Sequence, residues 1–166
     1  MKFPICNVCL KSNILCNACA ERVGNEGIKI DEIDMFRRLN EILSDQKSLK
    51  DVEIKRVVGR KMLMIITGKD DVSKLIGKDG RIVKKLYKEL EKPVRIIECM
   101  PDLHDFIREI FFNIPVLGIN VIYKPEGKVY KIRIPESERT KLPVSSDILA
   151  VISHSLFNAD IDVVFE

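Results

Sequence analysis

An internal repeat limits the possible folds of this chain more than any other feature. Lys74-Leu75 recurs as Lys141-Leu142, and Val94 recurs as Ile161, each 67 residues further on. Around these anchors the hydrophobic pattern reads the same way twice. In the first copy Asp31, Glu32 and Asp34 open a helical stretch with Phe36, Leu39, Ile42 and Leu43 on one face. Residues 52–58 and 62–67 read as strands about a turn at Gly59-Arg60-Lys61, two helices follow, and Pro93 stops the second before the alternating strand 94–97. The second copy places a helix on Leu103, Phe106, Ile107 and Ile110. Strands at 116–124 and 129–134 follow, joined by a turn at 125–128, then Lys141-Leu142, a helix at 148–157 and a strand at 161–165. Each copy has the order αββααβ. The fold class is α+β, with domains at 31–98 and 99–166 and a small segment, 1–24, before them.

The copies differ at one turn. In the first, Ile76-Gly77-Lys78-Asp79-Gly80-Arg81 has the form I-G-x-x-G-[KR] between two short helices. Paired glycines allow backbone angles closed to other residues and let a ligand approach the main chain, while the N–H groups opening the next helix form an anion site. Ile82, Val83, Leu86 and Leu90 line one side of that helix; Arg81, Lys84, Lys85 and Lys88 line the other. In the second copy Pro143-Val144-Ser145-Ser146-Asp147 replaces the turn, with Ser145 or Ser146 as an N-cap. The apolar faces match Ile148, Leu149, Ile152 and Leu156 at an offset of 66, which predicts a second turn one residue shorter and a following loop one residue longer.

Charge follows the same division. Residues 1–30 carry four Lys/Arg against two Asp/Glu, residues 31–98 seventeen against thirteen, and residues 99–166 seven against ten. A polyanion would meet the middle of the chain first. With 46% hydrophobic residues the 166-residue chain can bury cores. It has no apolar run near the roughly 20 residues of a membrane span, and Met1-Lys2-Phe3-Pro4-Ile5-Cys6 is no signal peptide. A cytoplasmic location is expected, with no membrane partner. Abundant Lys, Glu and Ile without Trp point to a thermophile.

A reducing compartment gives the cysteines their meaning. Cys6, Cys9, Cys16 and Cys19 form C-x2-C-x6-C-x2-C, two tight knuckles able to close four thiolates around one structural Zn2+. Paired disulfides and an iron–sulfur cluster are the alternatives; the compartment argues against the first, and only ligand type supports the second. About 20 residues cannot build a core, so the metal should supply this segment's folding free energy. No ligand position is left open for catalysis, and no H-x-E accompanies the cysteines.

An αββααβ module with I-G-x-x-G-[KR] between its middle helices resembles a type II K-homology (KH) domain. Two in tandem are similar to the KH pair of NusA-like transcription factors, especially short archaeal forms, and Val116-Leu117-Gly118-Ile119-Asn120-Val121-Ile122-Tyr123 is similar to the stretch opening their second KH domain. The four-cysteine segment resembles the zinc module of one archaeal subgroup. The resemblance implies single-stranded RNA binding in transcription elongation, pausing or termination, with RNA polymerase as a further partner. It implies that about four unpaired nucleotides lie between the turn and the sheet edge. By matching position, Gly77 and Gly80 admit the RNA backbone, Lys78 and Arg81 contact phosphates, and Lys74, Lys84 and Lys85 add charge. Ile76, Ile82 and Val83 fall to groove or core, with core favoured for the last two. Two departures stand out: the second copy lacks the glycines, and Asp79 puts a negative charge inside the first turn. A protein-interaction adaptor docking on RNA polymerase, with little RNA affinity of its own, is the competing reading.

Nothing points to an enzyme. No nucleophile and base pair, carboxylate dyad or nucleotide-binding P-loop appears, and no small-molecule substrate is expected. His104 and His154 suit surface or packing roles, Cys99 a buried strand end, and Met62 and Met64 strand packing. The aromatic residues form no interleaved basic and aromatic run, so no separate base-stacking platform is expected.

Overall fold

A computed structural model describes residues 1–166. The chain divides into two compact units, Met1–Cys99 and Met100–Glu166.

In the first unit, helices α1 (Asn7–Lys11) and α2 (Asn17–Asn25) precede α3 (Ile30–Ile42). Strands β1 (Ile54–Val58) and β2 (Leu63–Thr67) form an antiparallel pair. Helices α4 (Val72–Ile76) and α5 (Arg81–Leu90) then cross over to β3 (Val94–Glu98), which lies parallel to β2. The sheet order is β1-β2-β3. Its core is the face read from the sequence: Phe36 and Leu39 of α3 are wholly buried with Ile65, Leu75 and Leu86. Each such side chain stabilises the fold by about 1.5–3 kcal/mol relative to exposure.

The N-terminal segment is continuous with this core. Ile5, Cys9, Leu10, Cys19 and Ile28 belong to the same buried cluster as α3, and Phe3 packs on Phe36 with ring centroids 5.6 Å apart. Lys2 forms a short bridge with Glu53: its N–H donates to Val52 O, and its carbonyl accepts from Ile54 N–H. Only residues 26–29 separate α2, which runs through Val23 and Gly24 to Asn25, from the start of α3 at Ile30.

The second unit runs α6 (Leu103–Ile110), β4 (Gly118–Lys124), β5 (Gly127–Ile134), α7 (Ser146–Phe157) and β6 (Asp160–Phe165). Its sheet has the order β4-β5-β6, again antiparallel then parallel. Both sheets are compatible with the type II KH order. Parallel pairing repeats residue for residue: Leu63 faces Val94 and Tyr130 faces Ile161, an offset of 67 on both strands. One element is changed, since a 3-10 turn at Glu136–Lys141 precedes α7 where the first unit has α4.

The offset of 66 for the helices is corrected by their ends. Glu91 and Asn158, 67 apart, are the left-handed C-caps of α5 and α7, donating their N–H groups to Tyr87 O and His154 O. Buried Ile82 and Leu86 therefore correspond to Leu149 and Ser153, both buried, and the loop after the helix keeps its length. Ile152, also buried, drew the sequence comparison one residue off.

Candidate nucleic-acid interface and metal centre

The glycine turn has no regular helical or extended path. Gly77 caps α4 at φ 75°, ψ 170°, Asp79 follows at φ 54°, ψ 27°, and Gly80 opens α5 at φ 71°, ψ 20°. Three left-handed residues in four turn the chain sharply into α5. A Cβ at Gly77 would lie 2.9 Å from Ile82 Cγ1, so this glycine lets the turn sit directly on the buried root of α5. At Gly80 nothing comes closer than Lys84 Cε at 4.0 Å, so the backbone there is open to a ligand. Lys84 Nζ donates to Asp79 O at 3.1 Å and so holds the left-handed residue in place.

The cations named from the sequence divide into two groups. Lys78 and Arg81 are exposed and carry no carboxylate partner. Lys74 Nζ is 2.8 Å from Asp71 Oδ1, and Lys85 Nζ donates to both oxygens of Asp45 at 2.9 and 3.1 Å. Asp71 Oδ2 also accepts the Glu53 N–H at 2.9 Å. Burial works against the Asp71 carboxylate, but that N–H and Lys74 outweigh it and hold its pKa below the ordinary value, while Asp71 raises that of Lys74. Lys85 likewise lowers the pKa of Asp45.

Of the three apolar positions, Ile76 is 40% exposed, Ile82 is 3% exposed and Val83 is half-buried. Ile76 lines a shallow pocket of about 320 Å³ with Val72, Ser73, Asp70 and Glu98. In the second unit Ser145 is the N-cap of α7, and Ser146 and Asp147 lie within its first turn, where Asp79 and Gly80 stand in the first unit. No residue there has a positive φ.

At the other site, Cys6 is the N-cap of α1 and Cys16 the N-cap of α2, so each C-x2-C pair occupies a helix start. The four Sγ atoms lie within 4.8 Å of one another and could bind a metal ion. Two N–H groups cross between the knuckles: Cys6 N–H donates to Cys19 Sγ at 3.2 Å, and Cys16 N–H to Cys9 Sγ at 3.1 Å. The Cys9 N–H lowers the Cys6 thiol to about 7, and the Cys19 N–H lowers that of Cys16. The Cys16 N–H favours the Cys9 thiolate, yet burial and protons shared among the sulfurs push that thiol up to about 12. Cys19 is raised in the same way against the pull of the Cys6 N–H. A cation at the centre favours all four thiolates at once. All five cysteines are free, and Cys99 stands apart, half-buried at the end of β3.

The sequence did not reveal the attachment of this cluster to the fold. Arg37 Nε donates to Cys9 O at 3.1 Å, and Arg22 Nη1 donates to Pro4 O at 3.1 Å. Behind them, buried Arg56 and Glu32 form a forked pair at 2.8 and 2.9 Å, with Glu32 Oε1 also accepting Val57 N–H and Arg56 Nη1 reaching Glu26 O. Lys55 and Arg56 stand side by side in β1, and nothing in the sequence marks which of them is buried.

Together these features define an α+β protein of two three-stranded sheets, with a four-thiol cluster at its N-terminal end and one glycine turn ringed by cations. No family model matches the chain. Over 96 residues, 52% of this chain and 67% of the relative, it is 23% identical to the "Probable transcription termination protein NusA" of Thermoplasma acidophilum. Among solved structures it is similar to the crystal structure of APE1850, with a TM-score of 0.54 at 20% identity, covering 84% of this chain and 100% of the other. At that identity the likeness is one of fold.

Proposed function

We propose that this chain is a single-stranded RNA-binding factor acting in transcription elongation, pausing or termination, built from two type II KH domains and a structural zinc module. The glycine turn carries the reading. An open backbone at Gly80, N–H groups at the start of α5, and unpaired Lys78 and Arg81 suit a sugar-phosphate backbone. Lys84 braces the turn and adds charge, Lys74 and Lys85 contribute a field already part-neutralised by carboxylates, and Ile76 offers an apolar wall to a base. The relation to a NusA protein supplies the transcriptional setting.

Zinc fits the thiol cluster. A tetrahedron with Zn–S near 2.3 Å needs sulfurs about 3.8 Å apart, close to the 3.5 Å between Cys6 and Cys9 and within the 4.8 Å limit of the set. Four thiolates fill the coordination sphere, so the ion acts on folding rather than chemistry. Protein purified without added metal should contain about one zinc per chain; no metal, four free thiols and an unchanged fold would rule the site out.

Fluorescence anisotropy with a pool of short unstructured RNA tests the main reading. The wild type should bind with salt-sensitive affinity, and Lys78→Asp/Arg81→Asp should lose most of it. Equal binding by both would sink the assigned turn. The adaptor reading draws on Val8 and Ile14, 73% and 76% exposed in the thiol-cluster segment. It predicts nuclease-resistant capture of purified RNA polymerase by a protein with no measurable RNA affinity.

A further inference from the structure

The second unit lacks the glycine turn, but its sheet differs from the first in a way that points to another contact. Directly opposed residues on neighbouring strands share a face. On the face away from buried Ile132 and Ile134, β4 and β5 bring together Lys124 with Gly127, Ile122 with Val129, Asn120 with Lys131, and Gly118 with Arg133. An apolar rung thus lies between two cationic ones. In the first unit the positions 67 residues before Lys131, Arg133 and Val164 are Met64, Ile66 and Ile97, which are 0%, 0% and 1% exposed. The same face is apolar and buried in one copy, and open and basic in the other.

Charge sharpens the contrast. Residues 118–134 hold four Lys/Arg and one acidic residue, while the rest of the second unit holds three Lys/Arg against nine Asp/Glu. The acidic side chains on this face, Asp160, Asp162 and Glu166, all belong to or follow β6. They confine an anion to the β4–β5 side. There a shallow pocket of about 450 Å³ is lined by Asn120, Ile122, Lys131, Arg133, Val164 and Glu166. Arg133 Nη1 is 3.7 Å from Glu166, but its Nε is buried and has no partner. At the hairpin tip, on the other face, Tyr123 is 75% exposed with Lys128 Nζ 5.6 Å from its ring centroid.

We infer that the outer face of the β4–β5 hairpin is a second site for single-stranded RNA. Lys124 and Lys131 take phosphates, Ile122 and Val129 carry a base between them, and Asn120 and Arg133 offer hydrogen bonds to base edges. This inference rests on the RNA-binding reading of the glycine turn and extends it: the unit that lacks the turn carries a second site of its own. Joining two weak sites on one chain raises affinity without strengthening either.

The test uses the full zinc-loaded chain with unstructured RNA pools of about four and about twelve nucleotides, the shorter matching one KH groove. The wild type should bind the longer pool at least about tenfold more tightly. Lys124→Glu/Lys131→Glu should remove that gain and reduce the salt slope for the longer pool by about 1.4, as for two lost phosphate contacts on a single strand. Binding of the shorter pool should not change. Lys124→Gln/Lys131→Gln provides the same comparison if the charge reversal impairs folding. An unchanged affinity for the longer pool in these variants overturns the inference while leaving the glycine turn intact. So does a poly-glutamate of similar length binding the wild type as tightly as RNA, which would mark an acidic-peptide surface. If the wild type binds neither pool, the RNA reading itself falls.

Discussion

Gly77 and Gly80 are both glycines, but the structure asks different things of them. Gly77 occupies a backbone region almost closed to other residues, and its missing Cβ is also required by Ile82, 2.9 Å away. Gly80 is left-handed in open space, a position that asparagine tolerates. Gly77→Ala should therefore destabilise the first unit by about 1–3 kcal/mol, and Gly80→Asn by clearly less, as read from urea unfolding. Equal losses would mean that the contact with Ile82 has no weight. Asp79 belongs to the same argument with the opposite sign. Its left-handed backbone suits Asp or Asn, and Lys84 secures its carbonyl, so the carboxylate is not needed for the turn. Asp79→Asn should keep the melting temperature and strengthen RNA binding by about 1 kcal/mol, roughly fivefold, in low salt. Unchanged affinity would show that the carboxylate points away from the bound strand.

Between elements, buried polar groups act as ties. Glu32 joins α3 to β1 through Arg56 and the Val57 N–H, and Arg56 reaches the carbonyl of Glu26 just beyond α2. Glu32→Ala leaves a buried guanidinium without its counter-charge and should cost about 3–5 kcal/mol. A loss below 1 kcal/mol in chemical denaturation would show that water replaces the carboxylate. Asp71 ties α4 to the start of β1 through the Glu53 N–H and Lys74. Its folded pKa lies below the ordinary 3.8 of an aspartate, so its contribution is fully present above that value and is lost as pH falls through the folded pKa. Asp71→Asn should flatten this acid limb of stability and leave the neutral range parallel. These ties also mark how far sequence reading reached. The strands, the α3 face and the glycine turn were legible because each rests on local periodicity or on a short motif. The pairing of Lys85 with Asp45, 40 residues away, has no local signature, nor does the Lys2 bridge beside β1. The slip to an offset of 66 came from α7 burying both Ile152 and Ser153, which gives its apolar face two possible alignments.

Across the whole molecule, the two units differ in what they expose. The first unit holds the thiol cluster, the glycine turn and the basic helix; the second repeats the parallel register of the sheet and carries an open basic face. Metal removal should respect that division. Cys9 and Cys19 are buried in the same cluster as Phe36, Leu39 and Ile65, and Arg37 of α3 holds the Cys9 carbonyl, so the binding energy of an ion held by the four thiols would pass into the first unit's core. Hydrogen exchange on protein stripped with a chelator under reducing conditions should show lost protection through α1 and α2. The loss should reach α3 and the start of β1, where Lys2 bridges the edge. Amides of β5 and β6 should keep their protection, because the second unit has its own buried residues in Phe106, Ile132 and Ile152. Cys6→Ser/Cys16→Ser should reproduce the pattern without chelator. If protection falls only in α1 and α2, the cluster is an independent module that shares surface with the core but not stability. If it falls equally in both units, the metal supports the whole chain.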